Sequence, residues 1–363
     1  MGIFQRILPA AGDTHMGYDL VTFGEAMVRL TAPGYMRLEQ ARVLEVSVGG
    51  AELNVAANCA RLGLKTAWVS RLVDTWSGRL IANEARSHGV DVGHILWEQF
   101  DGVGHVRNGF YHLEMGAGPR ASAATYDRGH TAVSRMTPDM VDWNGLLSQC
   151  RWMHASGISP ALSPALQETT IRAFKTASEL GVRTSYDLNY RAKLWSAAQA
   201  QEANARILPH VEVLFGNEED FDKCLGIKAA GAGQDYSQLD PQSYKDVVRE
   251  TVARFRNVKV VGTTLRNART GLLNDWRTLV FDGKEFHLSR IYEGLEIVDR
   301  VGGGDAFSSA VIYGLLTGWP AAETCEFAAA YSALAHTFPG DINWATKEEA
   351  LKAMGGGSAR ISR

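Results

Sequence analysis

The sequence predicts an α/β fold whose central sheet is mostly parallel. Short apolar strand patterns alternate with helical patterns along most of the chain, and this alternation is typical of βαβ units. Of the 363 residues, 37 are glycine and only 10 are proline, and several glycines stand where a helical pattern stops. Hydrophobic residues make up 45% and charged residues 21%, which excludes disordered and fibrous classes of protein.

The first half of the chain supplies two strand–helix pairs. Gly49 and Gly50 open the first helix and Gly63 ends it, whereas Gly89 ends the second helix. We expect strands at 19–23 and 66–72 and helices at 51–61 and 78–87. The segment 104–126 interrupts this alternation with turn-rich, patchy sequence and predicts a small antiparallel insertion.

The second half of the chain resumes the alternation and predicts one continuous domain. We expect strands at 152–155, 183–188, 211–215 and 257–263, and helices at 163–180, 197–207, 218–225, 244–255, 303–316 and 321–335. A hairpin of 276–280 with 285–289 turns over Asp282-Gly283, and 228–240 is a polar surface loop. Residues 17–363 are assigned to a single domain, while 1–16 are interpreted as a leader or a disordered N-terminus.

Charge and cysteine usage exclude several classes of function. The 37 Lys and Arg nearly balance the 40 Asp and Glu, whereas a general nucleic-acid binder needs a strong positive surface. An apolar run of about 18 residues is absent, so no membrane span is expected. The four cysteines stand far apart without a CxxC pair, which fits core residues in a reducing cytosol, so we expect a cytoplasmic protein.

The sharpest local motif is the glycine run that precedes the helix at 303–316. Gly302, Gly303 and Gly304 let backbone N–H groups at the positive end of a helix approach an anion without obstruction. Asp305 follows in the first turn, where a carboxylate beside a phosphate is unfavourable unless it removes a proton from the attacking hydroxyl. A glycine-rich turn with Asp305 as a helix cap remains an equal alternative from these residues alone.

Two nucleotide-binding motifs are excluded. The chain contains no GxxxxGK[ST] sequence, and the glycine run is not GxGxxG. Residues 116–121 fit the looser dinucleotide pattern, but no helical periodicity follows them and Pro119 lies inside the segment. We therefore interpret 116–121 as a turn and not as the site of a dehydrogenase.

Two motifs in the expected order resemble the ribokinase-like (PfkB) carbohydrate kinases. Residues 299–305, DRVGGGD, resemble the C-terminal signature of that family, and 49–56, GGAELNVA, resemble its N-terminal signature. Within the family, 156–162, 187–195 and 336–341 are similar to 2-keto-3-deoxygluconate kinases. The resemblance implies a three-layer sandwich with a central, mostly parallel sheet and a small β-sheet lid from 29–47 and 104–126, which often forms a homodimer contact.

The resemblance also implies roles for the catalytic and sugar-binding residues. Asp305 becomes the general base, and the amides of Gly302, Gly303 and Gly304 become the anion hole. The sugar is expected to pack on backbone at Gly49 and Gly50. Side chains expected at the sugar are Asn54, Tyr111, Arg128 and Arg191. The alternatives are a solvated or helix-capping role for Asn54, a core position for Tyr111 and a solvated surface position for Arg191. Either arginine suits a substrate carboxylate, since its fork binds carboxylates bidentately.

The nucleotide side is implied by the same resemblance, with two departures from the family pattern. The family's Asn-x-x-Glu motif, associated with Mg²⁺ and phosphate, stands here as Asn217 to Asp220, so the shorter Asp implies a water-mediated role; the alternative is an acidic helix start. Thr264 and Arg266 are expected at the ATP phosphates, although the glycine that many members carry after this strand is missing. Asp299 and Asp341 are expected to hold a monovalent cation such as K⁺, which some relatives use.

The sequence therefore predicts an ATP- and Mg²⁺-dependent kinase that converts 2-keto-3-deoxygluconate to its 6-phosphate. A kinase for a neutral ketose, such as a fructokinase, is the alternative within the family. A protein of the same fold that binds nucleotide or sugar without catalysis is the alternative from another class.

Overall fold

A computed structural model describes residues 17–228 and 241–356. The predicted leader 1–16 and nearly all of the predicted loop 228–240 lie outside the described residues. The described strands form two sheets, one large and one small.

The strands, in chain order, are β1 (Leu20–Phe23), β2 (Met27–Thr31), β3 (Glu45–Gly49), β4 (Thr66–Val73), β5 (Ile95–Glu98), β6 (Gly109–Glu114), β7 (Ala123–Asp127), β8 (Trp152–Ser156), β9 (Arg183–Asp187), β10 (Val213–Phe215), β11 (Val260–Ala268), β12 (Leu273–Phe281), β13 (Phe286–Leu288) and β14 (Tyr292–Glu296).

The helices are α1 (Ala51–Arg61), α2 (Trp76–Ser87), α3 (Trp143–Leu147), α4 (Ile158–Leu162), α5 (Pro164–Glu179), α6 (Ala197–Ile207), α7 (Glu218–Leu225), α8 (Pro241–Arg254), α9 (Gly303–Leu316), α10 (Ala321–Ala335) and α11 (Lys347–Met354).

The large sheet has the order β13-β12-β11-β10-β9-β8-β1-β4-β5, and β14 also pairs with β12. All neighbours from β5 to β11 pair in parallel, whereas β12 runs antiparallel to β11, β13 and β14. From β1 the chain builds outward through β4 and β5, then returns to β8 on the other side. The carboxyl ends of β1 and β8 therefore flank a switch point, where open α/β sheets bind ligands.

Helices cover both faces of the large sheet. Successive apolar residues of its strands point to opposite faces, and each face packs against its own set of helices. Leu20 and Trp152 pack with α1, α9 and α10, whereas their neighbours Val21 and Met153 pack with α3, α5 and α6. Strands buried on both faces are the usual pattern of parallel sheets. The predicted three-layer α/β architecture is thus confirmed.

The small sheet has the order β3-β2-β6-β7 and stands apart from the large one. β2 pairs in parallel with β6, while β3 and β7 are antiparallel edges. Arg29 lies directly opposite Tyr111 in this pairing. The interpretation of 116–121 as a turn is confirmed, since these residues connect β6 to β7.

The predicted helices agree closely with the structure, and the strands agree less well at their ends. The helices 51–61, 197–207, 218–225, 303–316 and 321–335 have the predicted bounds. Asp282-Gly283 forms the predicted turn, with Asp282 Oδ1 accepting from the amides of Lys284 and Glu285 at 2.8 Å. The expected strands at 257–263 and 276–280 are longer, reaching Ala268 and beginning at Leu273, and β5, β14 and α11 were not predicted.

Candidate active site

One cavity of about 1030 Å³ joins the small sheet to the carboxyl ends of β9, β10 and β11. Its lining includes the first residues of α1 and α9, which approach from the large sheet. Met27, Tyr111 and Tyr126 cover it from the small sheet. The cavity is large enough for two small substrates side by side, since typical ligand pockets span about 300–1,000 Å³.

Asp305 is half-buried in the first turn of α9, and a neighbouring amide holds its carboxylate. Asn54 Nδ2, on α1, donates to Asp305 Oδ2 at 2.7 Å, and Asn54 Oδ1 accepts from the Gly50 amide at 3.3 Å. Burial raises the pKa of Asp305 to about 6, although the Asn54 hydrogen bond opposes the shift. The nearby charge of Asp341 raises this pKa further. The group is therefore a carboxylate at neutral pH with the basicity of a general base.

The three glycines of the loop before Asp305 have different surroundings. Gly302 has φ +83°, and a Cβ there would lie 1.9 Å from the carbonyl oxygen of Asp341. A Cβ on Gly303 would lie 2.5 Å from the His336 ring. A Cβ on Gly304 would meet no atom of the described residues within 4 Å, and Gly304 is exposed to the cavity. Only Gly304 is thus left open for a ligand.

The glycines before α1 are required by close protein contacts. A Cβ on Gly49 would lie 2.0 Å from Asp341 Oδ2, and one on Gly50 would lie 2.2 Å from the carbonyl oxygen of Glu25. Both residues also line the cavity, so their backbone is accessible to a ligand. Close contacts within the protein therefore account for the absence of a side chain at both positions, without a bound sugar.

Both predicted arginines line the cavity, but their partners differ. Arg128 is half-buried and binds Glu25, with Nε donating to Glu25 Oε2 at 2.8 Å and Nη2 donating to the same oxygen. Arg191 is exposed, and its Nη1 donates to the carbonyl of Tyr190 at 2.9 Å. Among the described residues no carboxylate forms an ion pair with Arg191, which leaves its charge available to an anionic ligand.

Tyr111 lies at the cavity but is 2% exposed, and its hydroxyl donates to Asp341 Oδ1 at 2.5 Å. Its ring stacks on Tyr126, with ring centroids 5.5 Å apart. Tyr126 is 40% exposed and also lines the cavity, so it presents the accessible aromatic face. Sequence analysis named Tyr111 alone, because only Tyr111 was matched to a lid tyrosine of the resembling family.

The residues predicted at the nucleotide also line the cavity. Asn217 and Asp220 form a capping box at the start of α7, with Asn217 Oδ1 accepting from the Asp220 amide and Asp220 Oδ2 from the Asn217 amide. Asp220 Oδ1 also accepts from the Tyr190 amide at 2.8 Å. Thr264 and Arg266 follow on β11 and line the cavity, and Arg266 is exposed.

The two carboxylates predicted to hold a monovalent cation bind an arginine instead. Arg29 Nη1 donates to Asp341 Oδ1 at 2.8 Å, and Arg29 Nη2 donates to Asp299 Oδ2. All three side chains are buried. Because the guanidinium occupies the position between the two carboxylates, Asp299 and Asp341 do not fit a monovalent cation.

Comparisons with known proteins agree with this geometry. Residues 18–348 match the model of the pfkB family carbohydrate kinases. The chain belongs to the PfkB family. The 2-dehydro-3-deoxygalactonokinase of Haloferax volcanii is 36% identical over 348 residues, which cover 96% of this chain and 100% of that protein.

Solved structures show the same relationship. The crystal structure of 2-dehydro-3-deoxygluconokinase from Thermotoga maritima matches with a TM-score of 0.87 and 40% identity, covering 93% of this chain and 99% of that one. A putative ribokinase II from E. coli in complex with ATP and Mg²⁺ matches with a TM-score of 0.74, covering 93% of this chain and 99% of that one. At 18% identity the second match supports the fold alone. The protein is a carbohydrate kinase, and non-catalytic binding is no longer an alternative.

The kinase also contains acidic groups that sequence reasoning missed. Asp187, at the carboxyl end of β9, has a pKa raised well above its usual value by burial and by the charges of Asp220 and Asp305. Burial raises the pKa of Glu218 to about 7, with Asp220 adding to the shift and Arg266 opposing it. The available signal was their position at the carboxyl end of a strand or at a helix start, where α/β sheets bind ligands.

Asp187 and Glu218 line the cavity, and their carboxylate oxygens are of the kind that a divalent cation prefers. Among residues 17–228 and 241–356, no three His, Cys, Asp or Glu side chains come together as a complete metal site. Mg²⁺ in kinases is usually bound by only one or two carboxylates together with substrate phosphates. None of the described helices is long and apolar enough to cross a membrane.

Proposed function

We propose that the kinase phosphorylates a 2-keto-3-deoxy sugar acid, 2-keto-3-deoxygluconate or its C4 epimer, at the terminal hydroxyl. The proposed product is the 6-phosphate. The support comes from the two most similar proteins described above, named for the glucono and galactono forms of this acid. It also comes from the exposed guanidinium of Arg191 in the cavity, which forms no ion pair within the described part of the chain and suits a substrate carboxylate.

Asp305 is the proposed general base. Its pKa of about 6 leaves it ionised at neutral pH, so it can take the proton of the terminal hydroxyl as the oxygen attacks the γ-phosphorus of ATP. The contact that carries this proposal is the 2.7 Å hydrogen bond from Asn54, which fixes one carboxylate oxygen and leaves the other for the substrate. The amides at the start of α9, reached past the open Gly304, then stabilise charge on the transferring group.

The ATP phosphates are proposed to lie between the start of α9 and the end of β11. Thr264 and Arg266 border that part of the cavity, and Arg266 supplies positive charge there. Mg²⁺, when bound, neutralises phosphate charge. Glu218 and Asp187 are the side chains that would hold it, while Asn217 and Asp220 remain proposed water-mediated neighbours because their direct bonds close the capping box.

The direct test is a panel of sugars and sugar acids with ATP and Mg²⁺, assayed by ADP release for wild type and Asp305→Asn. We expect turnover with 2-keto-3-deoxy sugar acids, little with fructose or ribose, and a loss of about 10²–10⁴-fold in the variant, which is the usual contribution of general-base catalysis. Binding of ATP to the variant, measured by calorimetry, should persist. Near-normal turnover by Asp305→Asn would refute the mechanism.

A neutral ketose is a second candidate substrate, and one observation favours it. Arg128 forms an ion pair with Glu25, so the pair carries no net positive charge that would attract a substrate carboxylate. If the acid is recognised, it is by Arg191. A kcat/KM for fructose above that for both sugar acids in the same panel would decide for the neutral ketose.

The small sheet is proposed to act as a lid and as a homodimer contact. Val43, Leu44 and Val46 lie on or beside its edge strand β3 and are 70%, 38% and 54% exposed. Exposed apolar groups that cluster in this way favour an interaction surface. Val46→Asp should shift the mass measured by light scattering from dimer to monomer, whereas a monomeric wild type would contradict the proposal.

A further inference from the structure

The guanidinium of Arg29 is buried where a charged group is rarely found. Arg29 is the middle residue of β2 in the small sheet, and its side chain is 3% exposed. Each of its nitrogens has a partner: Nε donates to Thr31 Oγ1 at 2.9 Å, Nη1 to Asp341 and Nη2 to Asp299. Burial opposes the charge, but Asp341 and Asp299 outweigh it and raise the pKa of Arg29, so the group is always a cation.

The two carboxylates that Arg29 binds belong to the segments that shape the glycine loop. Asp299 Oδ1 accepts from the Val301 amide at 3.1 Å, and its Oδ2 accepts from the Gly340 amide at 3.1 Å. The carbonyl of Asp341 is in turn packed against Gly302. Arg29 therefore fixes, from the small sheet, the backbone that leads into the anion-binding end of α9.

Charge explains why a cation is needed at this position. Asp299 and Asp341 are 2% and 5% exposed. Asp341 lines the cavity, and Asp299 directly precedes residues 300 and 301, which also line it. Two buried carboxylates without a counter-charge would repel each other and an incoming anion. A bound monovalent ion would supply this charge only while it is bound, whereas Arg29 supplies it permanently.

We propose that Arg29 is a positioning residue that acts as the built-in cation of the glycine loop and makes this kinase independent of monovalent cations. Arg29 does not line the cavity, so it acts through Asp299 and Asp341 and not by touching substrate. The catalytic part of this inference rests on the proposed function. The cation-binding part does not.

The first experiment compares salts with the unmodified protein. Wild-type activity and thermal unfolding are measured in tetramethylammonium, sodium and potassium chloride at equal ionic strength. We expect kcat/KM to differ by no more than about twofold, the scale of a general screening effect. We also expect no unfolding midpoint shift that is specific to K⁺, because an ion that binds only the folded state would raise it. Saturable activation or stabilisation of wild type by K⁺ would overturn the proposal.

The second experiment removes the guanidinium. Arg29→Ala should lose about 100-fold in kcat with a much smaller change in KM, the pattern of a misplaced catalytic loop. Guanidinium chloride at about 20 mM, far below denaturing concentrations, or K⁺ should restore part of the activity and raise the unfolding midpoint of this variant alone. Arg29→Lys, which keeps a point charge, should retain more activity than Arg29→Ala.

A matched variant separates this role from simple loss of an ion pair. Arg151 binds Asp19 at 2.8 Å and the carbonyl of Leu316 at 3.2 Å, at the amino ends of β8 and β1, whereas the cavity lies at carboxyl ends of the sheet. Arg151→Ala should lose stability without gaining any response to guanidinium or K⁺. Wild-type kcat in Arg29→Ala, or equal rescue of both variants, would refute the positioning role.

The outcomes also distinguish this inference from the proposed function. If Arg29→Ala does not fold, the salt comparison on wild type and Arg29→Lys still decides the cation claim. If no sugar acid is phosphorylated in any salt, the proposed function fails, while the unfolding measurements still confirm or refute a K⁺ site.

Discussion

The hydrogen bond from Asn54 to Asp305 makes a quantitative prediction about the pH dependence of turnover. Asn54 donates to the carboxylate at 2.7 Å and thus stabilises its charged form. Asn54→Ala removes the donor and leaves Asp305 in place. The pKa of the base should therefore rise, and the acidic limb of the pH profile should move to higher pH.

The size of the shift follows from the strength of such a bond. A hydrogen bond to a charged group contributes about 1.5–3 kcal/mol, and one pKa unit corresponds to about 1.4 kcal/mol. Because water can enter the space left by Asn54 in this open cavity, the lower end applies, or about one unit. A pKa that moves from about 6 to about 7 lowers the ionised fraction at pH 7 from about nine-tenths to about one half.

The assay is kcat from about pH 5 to pH 9 with both substrates and Mg²⁺ saturating, for wild type and variants under identical conditions. Ionisation of ATP then affects every protein equally and cancels in the comparison. Asn54→Ala should fall most at low pH and recover toward wild type at high pH. A structural defect would lower kcat at every pH instead.

Asn58→Ala is the matched control. Asn58 is also buried on α1, one turn further along, and its Oδ1 accepts from the Asn343 amide at 2.9 Å. Its loss should reduce stability and leave the acidic limb unchanged. Coincident limbs for Asn54→Ala and wild type, or a limb moved to lower pH, would refute the assignment of Asp305 as the base whose charge Asn54 stabilises.

Three further predictions concern the same cavity. Asp305→Asn should raise the free energy of unfolding at pH 8 by up to about 3 kcal/mol, because the folded state raises the pKa of Asp305 from 3.8 to about 6 and so disfavours its charged form. The gain in stability should vanish below about pH 4, where the carboxyl is protonated in both the folded and the unfolded state. An equal gain at all pH values would contradict this cause. Gly304→Ala should stabilise the protein by about 1 kcal/mol, measured by calorimetry, because alanine favours helix. It should also lower kcat by about 100-fold, measured by ADP release, because its methyl group obstructs the phosphate. An unchanged kcat would show that no ligand approaches Gly304. Arg191→Ala should raise KM for the sugar acid by about 10–100-fold and leave a neutral ketose unaffected, whereas Lys193→Ala, two residues away and outside the cavity lining, should change neither.

The local parts of the fold were predictable because their causes are local. The helix at 303–316 follows a glycine loop and carries an almost continuous apolar sequence, and the helix at 51–61 lies between Gly50 and Gly63. The strand ends were less predictable. β11 and β12 extend as a paired ribbon beyond the apolar runs, since cross-strand partners and not their own sequence keep the polar residues 266–268 in the strand.

The candidate site was predictable where a short local motif carries the signal, as with Asp305 and the three glycines that precede it. It was not predictable where partners are distant. Arg29 meets Asp299 and Asp341 across 270 and 312 residues, and nothing near Arg29 in the sequence indicates a carboxylate. Asp220 shows both cases, since its capping box with Asn217 joins residues three apart, whereas its bond from the Tyr190 amide spans 30 residues.

The distance along the chain between these partners has a consequence for how the protein is made. Arg29 and Asn54 leave the ribosome early, but their partners Asp341 and Asp305 follow 312 and 251 residues later. The early strands and α1 therefore complete their packing only after the last part of the chain has been made. Until then the side chains of Arg29 and Asn54 lack the partners with which they are buried in the folded protein. A nascent chain that stops before Asp305 lacks the base, and one that stops before Asp341 still lacks a carboxylate partner of Arg29. Activity should therefore appear only when nearly the whole chain has been synthesised.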